Sequence, residues 1–180
     1  MDREKAIIQL IEVFRQHGYE GATLSRLSQA TGLGRSSLYH HFPKGKEEIG
    51  ASVLSYVAER FERMILVPLW NKKEPRERLQ QMCQNLREFY CQGQESCLLN
   101  AIALGEGNEL FKEQIQQAFT TWIEELAQVL IEGGIATEIA YQRAEEGVIL
   151  IQGALVLARG LNNTKPFERI IENLPDKLLS

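Results

Sequence analysis

Apolar residues recur three and four positions apart along almost all of this 180-residue chain, a period that admits helices and little else. Ile7, Leu10, Ile11 and Phe14 keep that spacing, and Gly18 stands where a glycine ends a helix. Leu24, Leu27 and Ala30 make a short stripe behind Thr23, a good N-cap. Gly34 to Phe42 holds another short segment, with Leu38 and Phe42 one turn apart, before Pro43 and Gly45 break the chain. From Lys46, the residues Ile49, Val53, Tyr56, Val57, Phe61 and Met64 mark a long helix that Pro68 must end or kink. Pro75 opens the next, faced by Leu79, Met82, Cys83, Leu86 and Tyr90. After CQGQES come a short apolar piece, CLLNAIAL, and a GEGN turn. Phe111, Ile115, Ala118, Phe119, Trp122, Leu126, Val129 and Leu130 then trace a stripe to Gly133-Gly134. A last long helix is expected from Thr137 to Gly160, with a short one after Pro166. No stretch alternates as a strand does and no segment repeats, so the expected fold class is all-α.

Helix length changes near residue 46. Three short helices precede it and long ones follow, giving an expected head, 1–46, and body, 47–180. Charge changes at the same place: the head carries +3 and all three histidines, the body −7. Only the head has the balance to meet a polyanion. The most apolar run, Val148 to Ala158, is broken by Gln152 and falls far short of the roughly 20 residues of a membrane span. The start, MDREKAII, has no signal-peptide core. Three cysteines, Cys83, Cys91 and Cys97, form no CxxC pair and are odd in number, unlike a disulfide framework. These features point to a cytoplasmic protein without membrane contact.

The segment TLSRLSQATGLGRSSLYHHF carries the strongest local pattern. Gly32 supplies a residue free to take positive φ at the end of one helix, and Leu33 is placed to plug the angle to the next, the arrangement of a helix-turn-helix. With Leu38 and Phe42 inward, Arg35, Ser36, Ser37, Tyr39 and His40 turn mostly outward. Those types suit nucleic acid: arginine forks onto guanine, and hydroxyls, tyrosine and histidine bond phosphates or bases. Lys46 starts the following helix, where backbone N–H groups and the lysine together favour a phosphate. A metal reading of His40-His41 is poor, because adjacent helical residues point about 100° apart and no Cys, Asp or Glu lies nearby in sequence. No metal site is expected. The plainer alternative, a helix end packed into the head, accounts for Leu38 and Phe42 and leaves Arg35, Tyr39 and His40 without a role.

The pattern T-L-x-x-L-x-x-A-T-G-L-G-x-x-S-L-Y-H-H-F-x-x-K, after an amphipathic helix ending HGYEG, resembles the TetR family of bacterial transcriptional regulators, densely over residues 5–55. The resemblance implies that Thr23 caps the second helix and touches phosphate. It places Arg35, Ser36, Ser37, Tyr39 and His40 on a recognition helix and Lys46 beside the DNA backbone, with His41 and Phe42 mainly packing. Arg26 stands where the family often has an acidic or other capping residue, which makes it a further phosphate contact or a solvated side chain.

The helix over 137–160 is apolar nearly all round in its second half, so it needs burial on two sides. A symmetry mate in a homodimer supplies the second side, and a two-fold would pair two heads on one pseudo-palindromic DNA operator. Effector-binding candidates are Trp70, Phe89, Tyr90, Asn100, Phe119, Trp122 and Gln152, aromatics and isolated polar residues in apolar runs; core packing is the competing role for each. Asn100 is the most pointed, since a buried amide needs partners. The stretch ESCLLNAIALGEGNEL resembles the LmrA/YxaF-like and electrophile-sensing branches of the family, where a cysteine opens the sixth helix; in the electrophile-sensing branch it is the reactive one. Cys97 is therefore a candidate sensor, against a role as a small buried hydrophobe. Cys83 reads as core.

No nucleophile triad, phosphate-cradling loop or HExxH motif occurs, and the body lacks histidine. The expectation is a non-enzyme without cofactor: a regulator, most simply a repressor, released from its operator by a small apolar or electrophilic effector. The alternatives are a helical carrier or enzyme whose head does not bind DNA, and a transcriptional activator.

Overall fold

The computed structural model describes residues 2–180, and among these every regular element is helical. Nine helices follow one another: α1 (Arg3–Gly21), α2 (Leu24–Thr31), α3 (Arg35–His41), α4 (Lys46–Phe61), α5 (Pro75–Phe89), α6 (Leu98–Ala103), α7 (Gly107–Glu132), α8 (Thr137–Gly160) and α9 (Lys165–Leu179). The all-α expectation is met. The α9 helix, expected to be short, has 15 residues, because Phe167, Ile171, Leu174 and Leu178 keep a buried stripe along it.

Contacts gather the chain into two compact units, one running to Glu59 and including Cys97–Gln116, the other made of Arg60–Ser96 and Gln117–Ser180. This division differs from the 46/47 boundary read from the sequence.

In the first unit, Ala6, Leu10, Phe14, Ala22, Leu27, Leu38, Phe42, Ile49 and Val53 form the core. Asp2 caps α1, its carboxylate accepting from the Lys5 N–H at 2.8 Å. Gly18 interrupts α1 at φ 64°, so the regular helix stops where the sequence placed its glycine, and one further turn carries Tyr19, Glu20 and Gly21. Arg3 ties the start of α1 to the end of α3. Its guanidinium lies 4.9 Å over the Phe42 ring, donates to the His41 carbonyl at 3.4 Å and reaches Ser52 Oγ at 2.8 Å.

The second unit is built round Trp122, Tyr90, Phe167, Ile65, Leu69 and Leu79. Arg78 is buried here, donating to the Leu69 carbonyl at 2.9 Å and pairing with Glu132. Pro68, expected to end or kink the fourth helix, lies beyond its regular α-helical part and one residue before the helical run stops. The chain widens into a π-helical turn, Glu62–Leu66, with the Val67 N–H donating to the Glu62 carbonyl, and closes with one α-turn, Val67–Leu69. Proline has no N–H for the carbonyl four residues back, that of Met64. Asn85 of α5 fills the gap, its amide donating to the Met64 oxygen at 2.5 Å.

Candidate nucleic-acid interface

Thr23 has extended backbone (φ −68°, ψ 154°), and its hydroxyl accepts from the Arg26 N–H at 3.4 Å, so it caps α2 as expected. Gly32 closes α2 in the left-handed region at φ 65°, and open space surrounds its missing Cβ, so only the backbone demands glycine there. Ala30, expected on the apolar stripe, is exposed; the inward position belongs to Thr31, whose hydroxyl donates to the Leu27 carbonyl at 2.9 Å. Leu33 is half-buried. The turn is held more by polar contacts than by its side chain: the Leu33 N–H reaches Thr31 Oγ1 at 3.3 Å, and Ser28 Oγ donates to the Leu33 carbonyl.

Leu38 and Phe42 are fully buried, contacts each worth about 1.5–3 kcal/mol, and they fix the rotation of the short α3. Arg35, Ser36, Ser37, Tyr39 and His40 are all left exposed on one small surface. Tyr39 is 47% exposed, and its ring passes 3.3 Å from where a Cβ on Gly45 would sit. Gly45, at φ 69°, is thus constrained by backbone and by space alike. His40 and His41 meet edge to face, centroids 5.7 Å apart, and among the described residues no cluster of three His, Cys, Asp or Glu is arranged to hold a metal ion.

Two basic residues differ in detail from expectation. Arg26 is exposed yet held, donating from Nη1 to the Gly21 carbonyl at 2.8 Å. Lys46 opens α4, but its ammonium folds back to the Glu20 carbonyl (3.3 Å) and over the Tyr19 ring (4.3 Å to the centroid). The first turn of α4 carries Glu47 and Glu48, and the latter accepts from the Lys44 N–H at 2.9 Å.

The effector candidates divide between the units. Cys97 and Asn100 belong to the first: Cys97 is the buried residue preceding α6, and Asn100 is half-buried within it. The others belong to the second. There Phe61 touches Trp122 (4.9 Å between centroids) and Phe89 (5.5 Å), Phe89 touches Tyr90, and Tyr90 touches Phe167. Phe119 is half-buried, and Trp70 is 49% exposed, outside that aromatic chain. Trp122 is 1% exposed, and its Nε1 has no hydrogen-bond partner within the protein. Both polar atoms of the Gln152 amide are likewise buried and unpaired.

Residues 75–173 match the model of the C-terminal domain of LmrA/YxaF-like transcriptional regulators, and residues 10–53 that of the bacterial regulatory proteins of the tetR family. The chain belongs to the TetR family. This TetR-family regulator is 25% identical to the uncharacterized HTH-type transcriptional regulator YxaF of Bacillus subtilis over 177 residues, covering 96% of the chain and 93% of the relative. Its identity to the HTH-type transcriptional regulator LmrA of the same organism is also 25%, over 185 residues, covering 98% and 96%. The fold of the TetR transcriptional regulator from Legionella pneumophila superposes with a TM-score of 0.84 at 20% identity, covering 98% of this chain and 96% of that one. The LmrA/YxaF-like match agrees with the resemblance read from ESCLLNAIALGEGNEL. In this TetR-family regulator no described helix is long and apolar enough to cross a membrane.

Glu20, Gly105 and Gly107 escaped the sequence reading. Glu20 Oε1 accepts from the Gly107 N–H at 2.9 Å, joining α1 to the turn before α7. HGYEG and GEGN lie more than eighty residues apart, and no local spacing links them.

Proposed function

We propose that this regulator is a ligand-responsive repressor that binds a pseudo-palindromic operator in double-stranded DNA as a homodimer in the cytoplasm and is released by a small apolar or electrophilic effector. Residues 1–46 form its DNA-binding part and 47–180 its effector and dimer part. One observation carries the reading: five polar side chains, Arg35, Ser36, Ser37, Tyr39 and His40, are presented by a seven-residue helix whose inward contacts are the buried Leu38 and Phe42. Those five stay exposed beside that buried pair, and their chemistry is that of base and phosphate contact. Thr23 and Arg26 flank them at the start of α2, and the backbone N–H groups opening α4 complete a phosphate-facing rim with Lys46.

Two further observations support the dimer and the effector. Ile149, Gly153, Val156 and Gly160 follow one another at helical spacing on α8, exposed, with open space beside both glycines. Leu157 and Leu161 lie beside them, also exposed, and a two-fold mate would bury this stripe on itself. The unpaired Trp122 Nε1 and Gln152 amide each forgo about 1–3 kcal/mol, which an effector with a matching acceptor and an amide-like donor would recover. Such an effector shifts DNA affinity only by binding one arrangement of the protein better than another.

The test is selection of duplexes from a random pool, followed by affinity measurement for Arg35→Ala and Tyr39→Ala. Each variant is expected to lose about tenfold or more, in keeping with about 1–3 kcal/mol per specific contact. Wild-type affinity in both variants overturns the assignment of α3.

A further inference from the structure

The segment bearing Cys97 and Asn100 lies in the same compact unit as α1, α2 and α3, and the contact that ties it there is built with care. Glu20 projects from the last turn of α1 into the Gly105–Glu106–Gly107 turn between α6 and α7. Its carboxylate accepts from the Gly107 N–H at 2.9 Å. Gly107 is required by the fit, while Gly105 makes room for the end of the Glu20 side chain. A Cβ on Gly105 would lie 2.4 Å from Glu20 Oε2, and one on Gly107 would lie 2.7 Å from Tyr19 Cβ and 2.8 Å from Ile102 Cγ2. One residue earlier, the missing Cβ of Gly18 faces the Ala101 carbonyl of α6 at 3.1 Å. Tyr19 stands between them, edge-on to Phe111 of α7 (5.4 Å), with Phe111 in turn filling the space over Gly50 of α4. From this same turn of α1 the Glu20 carbonyl and the Tyr19 ring hold the Lys46 ammonium.

We propose that Glu20 is the positioning residue that couples α6 and the Gly105–Gly107 turn to the DNA-reading helices: its carboxylate, seated on that turn's backbone, holds the last turn of α1 and thereby Lys46. A displacement of α6 then passes into the helix-turn-helix through α1. This rests on the DNA-binding reading above and adds a route by which an effector touching α6 would reach it. A carboxylate suits the task because backbone N–H groups, its own first and then those of the turn, hold the carboxyl below the usual carboxylate range.

Two variants empty the cradle by different means. Glu20→Ala removes the carboxylate; Gly105→Ala leaves Glu20 in place and pushes its flexible end out, with no positive φ to strain at residue 105. Amide hydrogen exchange, which needs no DNA, is expected to quicken at Gly107 and at Ile49 and Gly50 in both variants, with the unfolding midpoint near that of the wild type. Binding to a duplex selected by the wild-type protein is expected to weaken about fivefold in each, a modest allosteric coupling. The double variant should be no weaker than the weaker single one, because both changes vacate one contact. Unchanged exchange at Ile49 and Gly50 in both variants, or additive losses in the double variant, would each overturn the proposal. If the wild-type protein selects no duplex while exchange responds as expected, the DNA-binding reading fails and the Glu20 coupling stands.

Discussion

The three cysteines show how far residue type alone underdetermines chemistry. Cys83 sits in the core face of α5, where burial pushes its thiol up to about 12, partly opposed by the charge of Arg87. Cys97 is buried before α6, whereas Cys91 is exposed, its thiol donating to Glu95 Oε1 at 3.2 Å. Thiol labelling of the native protein at pH 8 is expected to modify Cys91 in minutes and to leave Cys83 unmodified until denaturant is added; rapid labelling of Cys83 in the folded protein contradicts its placement. The sequence put Cys83 in an apolar stripe on periodicity alone. It singled out Cys97 and gave Cys91 no role, because the short helical turn through Cys91–Gly93, with positive φ at each residue, is announced by no pattern.

At the scale of elements, the helix ends carry most of the local specificity. Asn85 is an ordinary polar residue in a helical repeat until Pro68 leaves the Met64 carbonyl without its usual donor. Asn85→Ala strands that oxygen, and urea unfolding is expected to register a loss of about 1–2 kcal/mol. A loss below a few tenths would mean that water serves the carbonyl equally well. Glu132, at the end of α7, is held below the usual carboxylate range by hydrogen bonds from Gln128 and Arg78 and by the Arg78 charge. Its folded value is lower than its unfolded one, so its contribution to stability is complete above about pH 4.5 and lost as pH falls through the folded value. Glu132→Gln is expected to flatten the fall in unfolding free energy below that pH, a difference that parallel denaturation series from pH 6 to pH 3 would read. The Asn85 and Glu132 pairings join residues distant in sequence, which is why the repeat that located α4, α5 and α7 gave no sign of them.

For the whole molecule, α8 was legible as a helix apolar nearly all round in its second half and so in need of burial on two sides. Ile149, Val156, Leu157 and Leu161 are in fact exposed, as a face awaiting a partner would be. Val156→Glu places a charge at the middle of the proposed two-fold contact. Sedimentation at micromolar concentration is expected to give monomers, with operator binding weakened as the second head is lost; an unchanged dimer would move the interface elsewhere.

Periodicity was enough to determine that the regular elements of the described residues are helical, where Gly18, Gly32 and Gly133-Gly134 interrupt them, and that α3 offers Arg35, Ser36, Ser37, Tyr39 and His40 outward. These are local matters, decided by backbone sterics and by which side of a helix is apolar. Tertiary structure alone decided that Lys46 turns back onto Glu20 and Tyr19, that Asn85 serves Met64, and that Cys97–Gln116 joins the unit of α1 in place of the rest of its expected body. Each of these is a pairing of groups far apart along the chain. Hydrogen bonds and close packing set them in three dimensions, where sequence spacing carries no information.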